Sequence, residues 1–197
     1  MTRVYAFEGL IPVVSPDAYV HPRATLIGDV LVGAYCYIGP GACLRGDFGR
    51  ISIEAGANVQ DNCVLHSFPN QDVIVEENGH IGHGAVLHGC VVRKDALVGM
   101  NAVVMDAADI GADSIIGAMA FVKKGMQVPP RSLVAGSPAT VVKELDQKAI
   151  DGKFFGTRMY QRLAQRSLAT MQRVEPLTEV EADRPRLRED QIYPVDK

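Results

Sequence analysis

The sequence predicts an all-β solenoid, a parallel β-helix built from six-residue repeats and followed by a C-terminal α-helix. Three observations carry this. Aliphatic residues recur every six positions, as in Val20, Leu26, Val32, Ile38 and Leu44. A small or modest residue falls four positions after each, as in Ala24, Val30, Cys36 and Ala42. Glycine often follows the aliphatic position directly, as in Gly33, Gly39, Gly82, Gly99, Gly111 and Gly117. Neither the 3.6-residue period of a helix nor the two-residue period of a strand sustains an interval of six. A chain that turns a corner every six residues does. The aliphatic residue fills the interior, the small residue lets the corner close, and glycine permits tight backbone geometry. Three sides make one triangular coil, and coils stacked about 4.8 Å apart pair their backbone amides with one another.

The pattern resumes at Ile53, Val59 and Leu65, with Ala57 and Cys63 at the small positions, and at Val75, Ile81 and Leu87, with Ala85 and Val91. From Val92 it runs in steps of six to Val134, so the solenoid is expected to span about residues 1–140. From Val141 to Ile150 and from Thr157 to Val174 the sequence reads as helical, giving a helical segment at 141–175. Tyr160, Leu163, Ala164, Leu168 and Met171 form its apolar stripe, Thr157 is its expected cap and Pro176 its stop. Residues 176–197, with Pro176, Pro185 and Pro194 among many charges, read as an extended tail along a surface, its own or a neighbour's.

At 197 residues, 47% hydrophobic and 22% charged, the chain suits one globular domain with an appendage. A net charge of -3 and scattered lysines and arginines exclude a nucleic-acid partner. No run reaches the roughly 18 apolar residues that span a bilayer, and the N-terminus lacks a leader pattern, so a cytoplasmic protein without a membrane partner is expected. Cys36, Cys43, Cys63 and Cys90 show no CxxC spacing; two of them, Cys36 and Cys63, fall at inward repeat positions, and a reduced, structural role is expected for the cysteines.

Register changes carry the functional information. Leu44 to Ile53 is nine residues, Leu65 to Val75 ten, and Leu87 to Val92 five. Counting coils across them places Leu44, Leu65 and Leu87 on one side of the triangle. The residues that follow, Arg45, His66 and His88, therefore stack in one outward column. The same count stacks Asp61 and His83 in a second column. Two outward histidines one coil apart suit a shared metal, because strand spacing is about 5 Å and each zinc–nitrogen bond is about 2.0–2.1 Å. His83 belongs to the preceding side and points elsewhere. A neighbour in a three-fold ring supplies such a ligand most simply, so a homotrimer with metals at its interfaces is expected. His21 reads as structural, and His80 as a corner residue.

These residues resemble the γ-class carbonic anhydrase family of hexapeptide-repeat proteins. The matching segments are Arg45-Gly46-Asp47, Gln60-Asp61, His66, and His83 followed by His88. The resemblance supplies the left hand of the β-helix. It implies an interface metal, Zn2+ or else Fe2+ or Co2+, held by His66, His83 and His88 with water in the open positions. It further implies a network of Arg45 with Asp47 or Asp61 holding subunits together, Gln60 hydrogen-bonding the metal-bound water, and Tyr160 from the C-terminal helix near the metal. Longer stretches, among them GANVQDNCVLHSFPNQD and GHIGHGAVLHGC, resemble the branch of the family linked to phenylacetate degradation and carnitine metabolism. That branch implies acyl-CoA thioesterase activity.

One departure bears on the substrate. Active carbonic anhydrases of the class carry glutamate after the Arg-x-Asp motif and an acidic loop after the first histidine. Phe48 stands at the first position, and the loop Ser67–Asp72 has Asp72 as its one acid. Phe48 and Phe68 beside a metal suit an organic acyl group. The expected function is thus metal-dependent acyl-CoA hydrolysis, with Gln60 orienting the nucleophile and Tyr160 donating to the oxyanion. Tyr160 reads equally as a stripe residue of its helix. Three other readings stay open: CO2 hydration with a CO2 or bicarbonate substrate, hexapeptide acyl transfer, and a non-catalytic trimeric accessory to partner enzymes.

Overall fold

The structure, a computed structural model, describes residues 3–193. The repeats form a left-handed parallel β-helix of about seven coils with three flat walls. The first wall contains Val64–His66, Val86–His88, Val103–Val104 and Phe121–Val122; the second contains Val73–Val75, Val91–Val92, Asp109–Ile110 and Gln127–Val128. Two long strands, Thr25–Val32 and Cys43–Ile53, run around the corner between these walls and join them in one 12-stranded sheet. The third wall is an eight-stranded sheet that includes Tyr19–Val20, Tyr37–Ile38, Asn58–Val59, His80–Ile81 and Leu97–Val98.

The six-residue period becomes the core. Leu26, Ile38, Leu44, Leu65, Ile81 and Leu87 are fully buried, each burial contributing roughly 1.5–3 kcal/mol. Ala24, Cys36, Ala42, Ala57 and Cys63 fill the corners beside them. Asn62, Asn78 and Asn101 turn corners at φ 58, 58 and 55, left-handed values that asparagine tolerates better than bulkier residues. The five-residue step from Leu87 to Val92 alters the expected pattern locally: Cys90 is buried and Val91 lies half-exposed. All four thiols are free, and burial pushes Cys36 and Cys90 to about 12 and Cys63 to about 11, so these three stay protonated at neutral pH.

The C-terminal segment departs from the expected helices. Ala139–Glu144 is a strand, antiparallel to Ser132–Gly136, and covers the open end of the third wall. The β-branched run Thr140-Val141-Val142 favours that conformation over the helix expected from Val141. One helix then runs from Gln147 to Thr170, and Asp146 caps it by accepting from the Ala149 N–H at 2.8 Å. Thr157 is not a cap; it lies buried in mid-helix, and Pro176 lies beyond the helix end. The buried stripe is Ile150, Lys153, Thr157, Ala164 and Ser167, whereas Leu168 and Met171 are exposed. This stripe is largely polar because the helix docks on a polar bed. Thr157 meets His80, and the Lys153 ammonium donates to the Asp95 carbonyl. Further along, Ala164, Leu163 and Tyr160 pack on Tyr19 and Tyr37.

The tail returns to its own helix within this chain: Tyr193 stacks on Phe155 at 5.9 Å, and Arg162 donates to the Tyr193 carbonyl. Residues 194–197 of the expected tail lie outside the described residues. Among the described residues, no helix is long and apolar enough to cross a membrane.

Candidate metal centre

The first wall carries the expected column. Arg45 pairs in register with His66, and His66 with His88. The rings of His66 and His88 lie 5.0 Å apart, with His66 Nδ1 and His88 Nε2 facing each other at 3.1 Å. The remaining ring nitrogens are each claimed by a carboxylate. His66 Nε2 donates to Asp47 at 3.0 Å, and His88 Nδ1 donates to Asp106 at 2.5 Å.

With their protons on the carboxylate sides, the two rings turn lone pairs toward each other. A shared proton or a cation relieves that repulsion. Two nitrogens bound at about 2.0–2.1 Å to one tetrahedral ion stand about 3.3 Å apart, close to the observed separation. An outer carboxylate on each ligating imidazole is also the usual support of such a site. The donor set therefore fits a divalent ion such as zinc, iron or cobalt.

Arg45 donates to Asp47 at 2.6 Å, within its own chain. Burial pushes the Asp47 carboxyl up, but hydrogen bonds from Arg45 and His66 outweigh it and hold the group below the usual carboxylate range. Phe48 and Phe68, both exposed, flank the pair, 5.4 Å from the His66 ring and 5.9 Å from the His88 ring. The aromatic residues singled out in the sequence thus stand beside the candidate ligands.

His83 stands on a different corner, where the third wall turns into the first. Its Nδ1 lies 3.4 Å from Asp61, and the Tyr160 hydroxyl meets its Nε2 at 3.2 Å. Around it Gln60, His80, Leu97, Met100 and Tyr160 line an open cavity of about 300 Å³. Gln60 is buried, and its amide nitrogen serves Asn58 Oδ1 at 2.9 Å and His80 Nε2 at 2.7 Å. His80 is thus a buried wall residue rather than a corner residue. Burial, helped by Lys153 and His83, pushes it down to about 4, so it is neutral at pH 7.

Within one chain the structure brings His66 and His88 together and leaves His83 apart. Among the described residues of a single chain, no three His, Cys, Asp or Glu side chains form a group of metal-binding size. Sequence reasoning missed Asp106, because extending the column one coil reaches its neighbour Met105: Leu87 pairs with Val104. It also missed Asn58 and Thr157, which hold Gln60 and His80.

No family model matches the chain. Curated relatives do: the carnitine operon protein CaiE of Salmonella agona is 58% identical over 184 residues, covering 93% of each chain. The protein of the same name from a Proteus species is 55% identical over 185 residues, covering 94% of each. The chain belongs to the CaiE family. Solved structures agree on the architecture. A candidate acetyltransferase of Bacillus cereus is 33% identical with a TM-score of 0.84, over 85% of this chain and 98% of that one. A hexapeptide transferase family protein from Anaplasma phagocytophilum is 31% identical with a TM-score of 0.80, over 83% and 97%. The expected hexapeptide-repeat fold and carnitine-operon kinship are both found.

Proposed function

We propose that this CaiE-family protein is a metal-dependent acyl-CoA thioesterase, working as a homotrimer whose active sites lie between subunits. The facing of His66 and His88, each backed by a carboxylate, carries the reading. His83 of a neighbouring subunit completes the ligand set. Exposed apolar groups beside both halves, Phe48, Val64 and Phe68 at one and Met100 and Met119 at the other, suit burial in such an interface. When bound, the divalent ion supplies Lewis acidity, lowering the pKa of a ligated water and polarising a carbonyl oxygen.

The chain's own residues divide the remaining work. Gln60 has its N–H groups occupied by Asn58 and His80, so it offers its carbonyl oxygen and orients the attacking water. Tyr160, held at His83 by the C-terminal helix, donates to the charge developing on the thioester oxygen. Phe48 and Phe68 provide the apolar wall for an acyl chain, where an acidic proton relay would serve CO2 hydration. The Arg45–Asp47 pair and Asp61 rim the interface. The names of the relatives support a place in carnitine and CoA metabolism, and the resemblance to the phenylacetic acid degradation protein PaaY supports aryl-acyl thioesters as a further substrate class.

Metal analysis with an acyl-CoA hydrolysis panel tests this. The expected result is about one divalent ion per chain. His88→Ala loses metal and turnover together while keeping its β-sheet circular dichroism. Turnover retained by a metal-free variant overturns the reading. The transferase names of the two structural neighbours favour acyl transfer as the second reading, and metal-free acylation of an amine or hydroxyl acceptor identifies it.

A further inference from the structure

The corner that carries His83 continues toward the N-terminal end of the solenoid and ends in a basic cavity. Backbone hydrogen bonds from His21 to Ile38, Gly39 to Val59 and Gln60 to Ile81 set His21, Gly39, Gln60 and Gly82 level in successive coils. His21 is therefore two coils from Gln60 and three from the neighbour of His83, about 10 and 14 Å at the usual strand spacing. There Arg3, His21 and Arg23 meet Met171 and Arg173, which follow the C-terminal helix, around a cavity of about 620 Å³.

Its arginines hold no carboxylate among the described residues, and Asp61 is the one acid that acts on His21. Among the described residues, the side chains of Arg3, Arg23 and Arg173 have neither a hydrogen bond nor an ion pair, in a chain whose net charge is -3. By contrast Arg45, Arg50 and Arg93 all hold carboxylates. His21 Nδ1 accepts the Arg23 backbone N–H at 3.0 Å, which places the ring proton on Nε2 and makes that atom a donor. Three guanidinium forks and an imidazole N–H around one cavity recognise phosphate oxygens. Exposed Met171 and Pro22 add an apolar surface suited to a purine ring.

We infer that this cavity binds the phosphorylated nucleotide end of coenzyme A, with the pantetheine arm lying along the corner toward His83. The arm is as long as about four extended residues, roughly 14 Å, which matches the three-coil separation. The inference rests on the proposed acyl-CoA chemistry, yet it concerns a site that binds without turnover.

Calorimetry separates the two. Coenzyme A and 3′,5′-ADP, which has no thioester, are titrated into the native protein and into an Arg23→Gln/Arg173→Gln double variant, with pantetheine as the phosphate-free control and inorganic pyrophosphate as the bare anion. Both substituted residues are exposed, so the fold is retained, and an unchanged melting temperature verifies it. The expected result is binding of coenzyme A and 3′,5′-ADP that weakens at least about 10-fold in the variant, with pyrophosphate and pantetheine each binding far more weakly. In turnover, KM for acyl-CoA rises while KM for the acyl-pantetheine does not. Equal affinity in both proteins, or pyrophosphate binding as tightly as coenzyme A, overturns the assignment. Nucleotide binding lost in the variant of a protein that hydrolyses no thioester leaves the cavity assigned and removes the hydrolase reading.

Discussion

The two halves of the candidate centre are built by different means. His66 and His88 are largely buried, share a wall, and are locked from behind by Asp47 and Asp106. His83 is 44% exposed, has Asp61 at 3.4 Å, and is oriented by a tyrosine from the C-terminal helix. One half is finished by folding of the solenoid; in the proposed trimer a partner surface finishes the other. Association of chains, rather than folding of one chain, would then switch the site on.

The sharpest way to break this comparison is to remove one member of the finished half. His88→Ala is expected to lose bound metal and reduce acyl-CoA turnover by more than the roughly 10–100-fold typical of outer partners. His83→Ala should match it in turnover but differ in kind. Its mixtures with His88→Ala protein should regain activity, because a mixed trimer contains some interfaces with all three histidines intact. Reassociated mixtures assayed against the single variants check this, and absence of recovery places all ligands in one chain.

The finished half was legible in the sequence because a solenoid converts spacing into position. One count of hexads from Leu44 to Leu87 put Arg45, His66 and His88 in a column, and the register confirms it. The unfinished half was legible at His83 but not in its support. The helix that positions Tyr160 binds through Lys153, Thr157 and Ser167, polar residues that an apolar periodicity does not register. The strand Ala139–Glu144 was misread for a related reason: its role is to cover the last coil, and its neighbours in space are not its neighbours in the repeat.

Acid should separate the halves next. The folded His80 titrates at about 4, below its ordinary 6.5, so between those values the unfolded chain binds more protons than the folded one. Its contribution is complete above pH 6.5 and is lost as the pH falls toward 4, up to about 3 kcal/mol. Asp47 shifts the other way from trouble: held low, it stays ionised through the same window. Denaturant melts from pH 7 to 4 should show a slope that flattens in His80→Gln. An unchanged slope removes His80 from the support of the His83 half.

The outer carboxylates give the third contrast. Asp106 receives its histidine proton at 2.5 Å, whereas Asp61 stands 3.4 Å from His83. Asp106→Asn is therefore expected to weaken metal affinity about 10–100-fold, and Asp61→Asn by clearly less. Chelator competition measures both. Equal losses would mean that assembly draws Asp61 onto His83 as closely as Asp106 already sits on His88.

The smallest expected effect falls on Tyr160. Its ring packs on Tyr37 and His80 at 5.5 and 5.3 Å, contacts that Phe retains, so Tyr160→Phe removes the hydroxyl and little else. A neutral hydrogen bond is worth about 0.5–1.5 kcal/mol, which sets the loss at roughly 2- to 13-fold. If the hydroxyl donates to the oxyanion, that loss appears in kcat with metal content and KM preserved. If it serves to orient His83, metal affinity falls instead, and added metal restores turnover. The two outcomes assign the hydroxyl to chemistry or to assembly, and only the first makes the C-terminal helix part of the catalytic apparatus.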